Sequence, residues 1–216
     1  GSVVLGGPWQ GKPTLFEFYV LPQRRGQMFA LFETLLAATG VQHLYGQSND
    51  PLFAPMLLSY AQEVSTEAIL YHDKLTTRLA PAGAVFRPVT EKDTAQSTPQ
   101  REISAGEWLV ECEGRIAATG GILYHYNRPY GDIYMAVAEP FRRRGLGSFL
   151  VQELKRVCYE LGSVPAARCN VTNVASRRTL QKAGFVPCGP AFSFSPRPAP
   201  PAGRKPCPDP PAPGRC

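Results

Sequence analysis

One twelve-residue stretch, 137–148, constrains the fold of this chain more than any other part of its sequence. An apolar segment, 133–138, runs into a turn that holds three consecutive arginines and two glycines one residue apart. The residues that follow, 146–161, have the apolar spacing of an amphipathic helix. A strand, a glycine turn and a helix in that order bring unpaired backbone N–H groups and the positive end of a helix dipole together. The stretch therefore predicts a binding site for a pyrophosphate group.

Two common phosphate-binding loops do not fit this turn. A dinucleotide-binding loop needs a third glycine three residues after Gly147, and Leu150 stands there. A P-loop needs Gly-Lys-Ser/Thr, which the turn lacks. The turn is therefore typical of neither class.

A second segment, 173–185 with the sequence NVASRRTLQKAGF, strengthens the interpretation. Residues 142–147 fit the pattern Arg/Gln-x-x-Gly-x-Gly/Ala, and the second segment fits Asn-x-x-Ala/Ser followed by Gly-Phe. Together they resemble the acyl-CoA motif of the GNAT N-acetyltransferase superfamily, over residues 85–189. The resemblance implies an α/β (α+β) fold with a mixed, mostly antiparallel sheet that is splayed at Val137 and flanked by helices. It also implies direct transfer of an acetyl group from acetyl-CoA to an amine, without a covalent enzyme intermediate and without a metal.

The resemblance assigns a set of residues to the acyl-CoA. They are Val137, Ala138, Arg142, Arg143, Arg144, Gly145, Leu146, Gly147, Ser148, Asn173 and Ser176. The two glycines would leave backbone N–H groups open to the pyrophosphate, and the arginines would add positive charge. The backbone of Val137 would bind the pantetheine amides, and Asn173 would bind the pantetheine or the reacting region.

The acid and base of the reaction are not in their usual places. The family's common general-acid tyrosine is replaced by Leu180, and the strand residues that share a face with Val137 are not titratable. The opposite face of that strand carries Ala136, Tyr134 and Asp132. The candidates that remain for catalysis are Tyr124, Tyr126 and Glu139, with His125 interpreted as structural. A non-catalytic acyl-CoA-binding regulatory module is therefore the alternative function.

An internal repeat divides the chain. Residues 19–49 repeat the order strand, basic turn, helix, strand and asparagine found in 137–173, but Met28 stands where the second copy has Gly147. We therefore predict a degenerate GNAT-like half-domain at 1–82, an acyl-CoA-binding domain at 83–189 and a disordered, proline-rich tail at 190–216. Because 89–106 is too short for two helices, the first half is expected to supply an acceptor wall. Strands are predicted at 14–20, 41–46, 68–71, 75–79, 85–88, 107–112, 115–126, 133–138, 164–171 and 185–188, and helices at 27–38, 51–62, 146–161 and 174–183.

The charge and cysteine content of the chain limit the kinds of partner and location that we expect. The net charge is +6, and the segment 190–216 contributes +3 of it through four basic residues and one acidic residue, so the rest of the chain is only mildly basic. This balance does not favour nucleic acid, and no apolar run is long enough to cross a membrane. The six cysteines form no Cys-x-x-Cys pair, which argues against zinc and favours a reducing, cytoplasmic location. The oligomeric state stays open, with a homodimer among the options.

Overall fold

The structure is a computed structural model that describes residues 2–9, 11–95, 107–124 and 128–196. Two compact units divide the chain: the first holds 1–46, 50–64 and 193–216, and the second holds 47–49 and 65–192. The predicted boundary between residues 82 and 83 therefore lies inside the second unit. No helix among the described residues is long and apolar enough to cross a membrane.

The described residues form ten strands and five α-helices. The strands are β1 (Ser2–Trp9), β2 (Lys12–Val20), β3 (His43–Gln47), β4 (Ala61–Asp73), β5 (Ala84–Pro88), β6 (Trp108–Cys112), β7 (Arg115–Leu123), β8 (Tyr130–Val137), β9 (Val164–Asn170) and β10 (Phe185–Pro196). The helices are α1 (Met28–Thr39), α2 (Phe53–Tyr60), α3 (Glu91–Ala95), α4 (Leu146–Glu160) and α5 (Val174–Lys182). Two 3-10 turns, Pro22–Gln27 and Glu139–Phe141, precede α1 and α4.

The second unit is built on an open, mixed sheet with the strand order β10-β4-β9-β8-β7-β6-β5. The registers of β4 with β9 and of β5 through β8 are antiparallel, whereas β8 and β9 are parallel. That parallel ladder holds three pairs, from Tyr130–Val164 to Asp132–Ala166. Beyond Asp132 the two strands are no longer paired, which leaves a gap along the rest of β8. The predicted mixed sheet is confirmed, and the splay opens five residues before Val137.

Helix α4 covers one face of this sheet with its apolar side. Leu150, Leu154 and Val157 recur at helical spacing and are at most 4% exposed. Burying each such side chain contributes about 1.5–3 kcal/mol. Gly120 on β7 serves both the sheet and the helix, because a Cβ there would overlap the Tyr134 carbonyl oxygen on β8 and would lie 3.1 Å from the Leu154 Cδ1. The packing fixes where the N-terminus of α4 lies relative to β8.

The first unit repeats part of this plan. Strand β2 pairs antiparallel with β1 and parallel with β3, and the parallel ladder has only two pairs, Thr14–His43 and Leu15–Leu44. The start of α1 differs from that of α4, because the preceding 3-10 turn runs directly into it and the Met28 N–H donates to the Arg25 carbonyl. The turn thus uses an N–H group that an anion would need.

Several predicted elements were wrong. Strand β1 was not predicted, and residues 75–79 form no strand, since β4 spans the longer segment 61–73. Strand β10 continues to Pro196, so the disorder expected from residue 190 onward is wrong for 190–196. Residues 197–216 and most of the segment 89–106, which is too short for two helices, lie outside the described part of the chain.

Candidate functional site

The N-terminus of α4 is an open set of backbone donors. Gly145 is its N-cap residue, with φ 82° and ψ −1°, and no side chain caps the helix. The first intrahelical bond runs from the Phe149 N–H to the Gly145 carbonyl at 3.0 Å. The N–H groups of residues 146–148 therefore have no acceptor within the helix. Arg143 also has a left-handed φ of 64°, whereas Arg144 between it and Gly145 does not. When left-handed and right-handed residues alternate, successive backbone N–H groups converge on one point and form an anion-binding concavity.

The end of β8 leaves its other edge unpaired. The Ala138 N–H donates to the Ala117 carbonyl on β7 at 2.9 Å. Because backbone groups alternate between the two edges of a strand, those of Val137 and Met135 point away from β7. They face the gap, where β9 is no longer paired with β8. The Val137 carbonyl accepts a 3.3 Å hydrogen bond from the Arg142 Nε.

Gly147 joins these two features. A Cβ at this position would lie 2.9 Å from the Val137 Cγ2 and 3.4 Å from the Thr179 Cγ2, so α4 begins directly against the end of β8. The sequence pattern assigns Gly147 to the phosphate site, but a side chain there would point at Val137 and α5. The glycine is therefore required for packing, and that packing places the open N–H groups beside the gap.

The arginine triplet is only partly turned toward this site. Arg144 forms an ion pair with Glu113 in the β6–β7 turn, and its guanidinium lies 5.3 Å from the centre of the Phe141 ring. The hydrogen bond from Arg144 lowers the pKa of the Glu113 carboxyl. Arg142 bonds the Val137 carbonyl, as described, and Arg143 is exposed to solvent. Arg144 thus anchors the loop to the sheet, which sequence reasoning did not foresee.

Helix α5 supplies the other wall. Asn173 caps it, because the Asn173 Oδ1 accepts a 3.0 Å hydrogen bond from the Ser176 N–H. Ser176, Thr179 and Lys182 recur every three residues and so share a face of the helix. Thr179 contacts the position of Gly147, and the Lys182 Nζ lies 3.4 Å from where a Cβ of Gly145 would be. Lys182 is not among the residues that the sequence motifs assign, although it lies two steps of three residues after Ser176.

The geometry agrees with a family match. The model of the Acetyltransferase (GNAT) family matches residues 76–185, which is 110 of the 216 residues. This chain belongs to the GNAT acetyltransferase family. Acyl-CoA-dependent N-acyl transfer is the activity of that family, with acetyl-CoA as the donor.

Solved GNAT structures share the fold. An acetyltransferase from Colwellia psychrerythraea is 16% identical with a TM-score of 0.70, over 90% of this chain and 81% of that one. A GCN5-related N-acetyltransferase from Kribbella flavida is 15% identical with a TM-score of 0.54, over 88% and 82%. A tandem GNAT protein from the clavulanic acid biosynthesis pathway is 16% identical with a TM-score of 0.54, over 87% and 77%. No curated protein matches the sequence.

Asp132 is a carboxylate in the GNAT domain to which the sequence assigned no role. It is 6% exposed, and burial raises its pKa to about 6 despite the opposing charge of Arg168, whose Nε lies 3.4 Å from its Oδ2. Asp132 belongs to the last pair of the β8–β9 ladder, where the gap begins. Tyr134 follows on the same face of β8, and its hydroxyl lies 2.7 Å from where a Cβ of Gly121 would be.

Two of the three catalytic candidates from the sequence, Tyr124 and Glu139, lie within the described residues. Tyr124 is exposed, and its Cε1 lies 3.4 Å from where a Cβ of Gly131 would be, one residue before Asp132. Glu139 is exposed in the 3-10 turn before α4. Tyr126 and its neighbour His125 lie outside the described residues. In the described part of the chain, no three His, Cys, Asp or Glu side chains form a group that could hold a metal ion.

Proposed function

We propose that this chain transfers the acetyl group of acetyl-CoA to the amine of an acceptor. One observation carries the proposal: the uncapped N-terminus of α4 lies directly against the unpaired edge of β8. A ligand that carries a pyrophosphate at one end and two amides along an extended arm matches both features. The family match supports the same donor.

Different residues would bind different parts of the acetyl-CoA. The N–H groups of Leu146, Gly147 and Ser148 would bind the pyrophosphate, with the dipole of α4 behind them. The Val137 backbone would bind the pantetheine arm as a neighbouring strand would, and Ala138 would hold that strand end against β7. Because the Arg142 side chain bonds the Val137 carbonyl, it would have to leave that carbonyl when a pantetheine N–H takes its place.

We infer that Asp132 is the base, because its buried carboxylate lies in the last pair of the β8–β9 ladder, where the gap begins. An amine attacks only after its ammonium form loses a proton, and a carboxylate with a pKa of about 6 is ionised at neutral pH yet able to accept one. The amine nitrogen then bonds the thioester carbonyl carbon and loses its extra proton to water, the C–S bond breaks, and CoA leaves as a thiolate that takes a proton from water. A backbone N–H of β8 that faces the gap would donate to the carbonyl oxygen as charge develops.

The first experiment measures binding and turnover separately. Titration calorimetry with acetyl-CoA should give saturable binding at one site per chain. Thiol release should then depend on an added amine, across a panel of small amines, aminoglycosides, peptide N-termini and lysine peptides. Binding without turnover on any amine would favour the regulatory module, and the absence of binding would overturn the proposal.

The pH dependence tests Asp132. The rate should fall as the pH drops through about 6, because the protonated carboxyl cannot accept a proton. Asp132→Asn should lower kcat about 100-fold or more while acetyl-CoA still binds. Since Arg168 lowers the pKa of Asp132, Arg168→Gln should move the acid limb of the profile to higher pH. A profile that neither variant changes would exclude Asp132 as the base.

A further inference from the structure

We propose that Lys182, rather than the arginine triplet, provides the side-chain charge that binds the pyrophosphate of the acyl-CoA. This inference rests on the proposed function and adds to it a binding residue that the sequence motifs do not assign. It follows from where the basic side chains around the α4 turn point.

Lys182 reaches the turn from the last residue of α5. Its Nζ lies 3.4 Å from the position of a Cβ on Gly145, the N-cap residue whose φ of 82° also favours glycine. The ammonium therefore lies beside the first unpaired N–H groups of α4. No ion pair engages Lys182 within residues 107–124 and 128–196 or the other described segments.

The arginines are arranged differently. Arg144 is held by Glu113 and stacks on Phe141, on the side of the loop that faces the sheet. Arg142 is directed back to the Val137 carbonyl. Arg143 is exposed, and its left-handed backbone serves the shape of the turn. Of these basic groups, Lys182 is the one that lies against the helix start.

The chemistry of lysine suits this place. An ammonium is a compact charge with three donors on a flexible stem, so it can bridge oxygens of both phosphates while the backbone N–H groups hold the remaining oxygens. Because Gly145 at the N-cap has no Cβ, the Lys182 ammonium has room to approach. Gly145 thus serves the turn and the lysine together.

The test compares two ligands that differ in the phosphates. CoA carries the pyrophosphate, and pantetheine lacks it while keeping both amides and the thiol. By calorimetry, Lys182→Gln should weaken CoA binding about tenfold and leave pantetheine binding unchanged. Lys182→Arg should recover most of the CoA affinity.

Arg156→Gln is the matched control. It removes one positive charge from α4 about 16 Å along the helix from Gly145, where Arg156 pairs with Glu153 and Glu160 on the surface. It should change neither affinity. An equal loss for both ligands in Lys182→Gln would mean that Lys182 only positions α5, and unchanged CoA binding would also overturn the inference.

The two proposals fail in different ways. If the unsubstituted chain binds CoA but transfers no acetyl group, the proposed reaction is wrong while the ligand comparison still decides the role of Lys182. If it does not bind CoA, both are wrong.

Discussion

Gly147 has the tightest packing requirement at the start of α4. Its Cα lies where the helix, the end of β8 and α5 meet, and a Cβ would lie 2.9 Å from the Val137 Cγ2. A contact that short requires the Val137 side chain, the strand or the helix to shift. Such overpacking in a well-packed region typically costs about 1–3 kcal/mol.

Gly147→Ala should therefore lower the free energy of unfolding by about 1–3 kcal/mol, measured by urea denaturation. Gly26→Ala is the control, because nothing lies within 4 Å of its Cβ position and its φ is not left-handed. It should change stability by less than about 0.5 kcal/mol. Equal effects of the two substitutions would contradict the packing role of Gly147.

The residue pattern of the turn was readable because glycine marks conformations and contacts that other residues cannot adopt. The structural reason for each glycine could not be predicted from the sequence. Gly147 is required by packing, whereas Gly145 is required by the left-handed conformation of the N-cap. The raised pKa of Asp132 was also hidden, because burial in the folded chain causes it. Its position on β8 was visible, and its environment was not.

At the scale of elements, helix α5 depends on its first residue. The Asn173 side chain satisfies the Ser176 N–H, one of the four donors left open at any helix start. The nine residues of α5 carry Thr179 and Lys182 to the start of α4. The cap therefore supports the site even if Asn173 contacts no ligand.

Asn173→Ala should lower the free energy of unfolding by about 1 kcal/mol, and Asn173→Asp should restore it. Ser176→Ala should have little effect on stability, since Ser176 contributes its backbone N–H to the cap. Thermal or urea unfolding of the three variants measures the difference. If Ser176→Ala destabilises the chain as much as Asn173→Ala, the cap is not what stabilises α5.

Helices whose ends carry glycine or another clear terminal residue were predicted closely. Elements that depend on contacts distant in sequence were not. Helix α4 was predicted at 146–161 and spans Leu146–Glu160, and α1 was predicted at 27–38 and spans Met28–Thr39 before the left-handed Gly40. Residues 75–79 have a strand-like composition, but the Lys74 and Leu75 N–H groups bond the Gly184 carbonyl instead. That bond joins segments over a hundred residues apart, which local pattern cannot reveal.

On the scale of the molecule, a buried lysine ties the second unit together. The Lys155 Nζ on α4 lies 2.6 Å from the Asp73 Oδ1, and both side chains are at most 10% exposed. It also donates to the Leu75 carbonyl at 2.9 Å and the Ala183 carbonyl at 2.7 Å. One ammonium thus connects α4 to the segment after β4 and to the end of α5.

Lys155→Met should lower the free energy of unfolding by about 3–5 kcal/mol, because it leaves the Asp73 carboxylate buried and unpaired. Arg156→Met removes the surface ion pairs with Glu153 and Glu160 one residue away and should cost less than about 1 kcal/mol. Urea denaturation of both variants measures the contrast. A small effect at Lys155 would mean that water or a local rearrangement satisfies Asp73.

The gap between β8 and β9 makes the second half of β8 an edge strand inside a sheet. Proteins usually shield such edges, because an unpaired row of N–H and C=O groups can accept any extended peptide. Bound acetyl-CoA in the gap would complete the ladder in place of a strand. The amide protons of Met135 and Val137 would therefore exchange slowly with solvent only while acetyl-CoA is bound. The fraction of molecules whose β8 edge is open to pairing with another chain would then fall as the acetyl-CoA concentration rises.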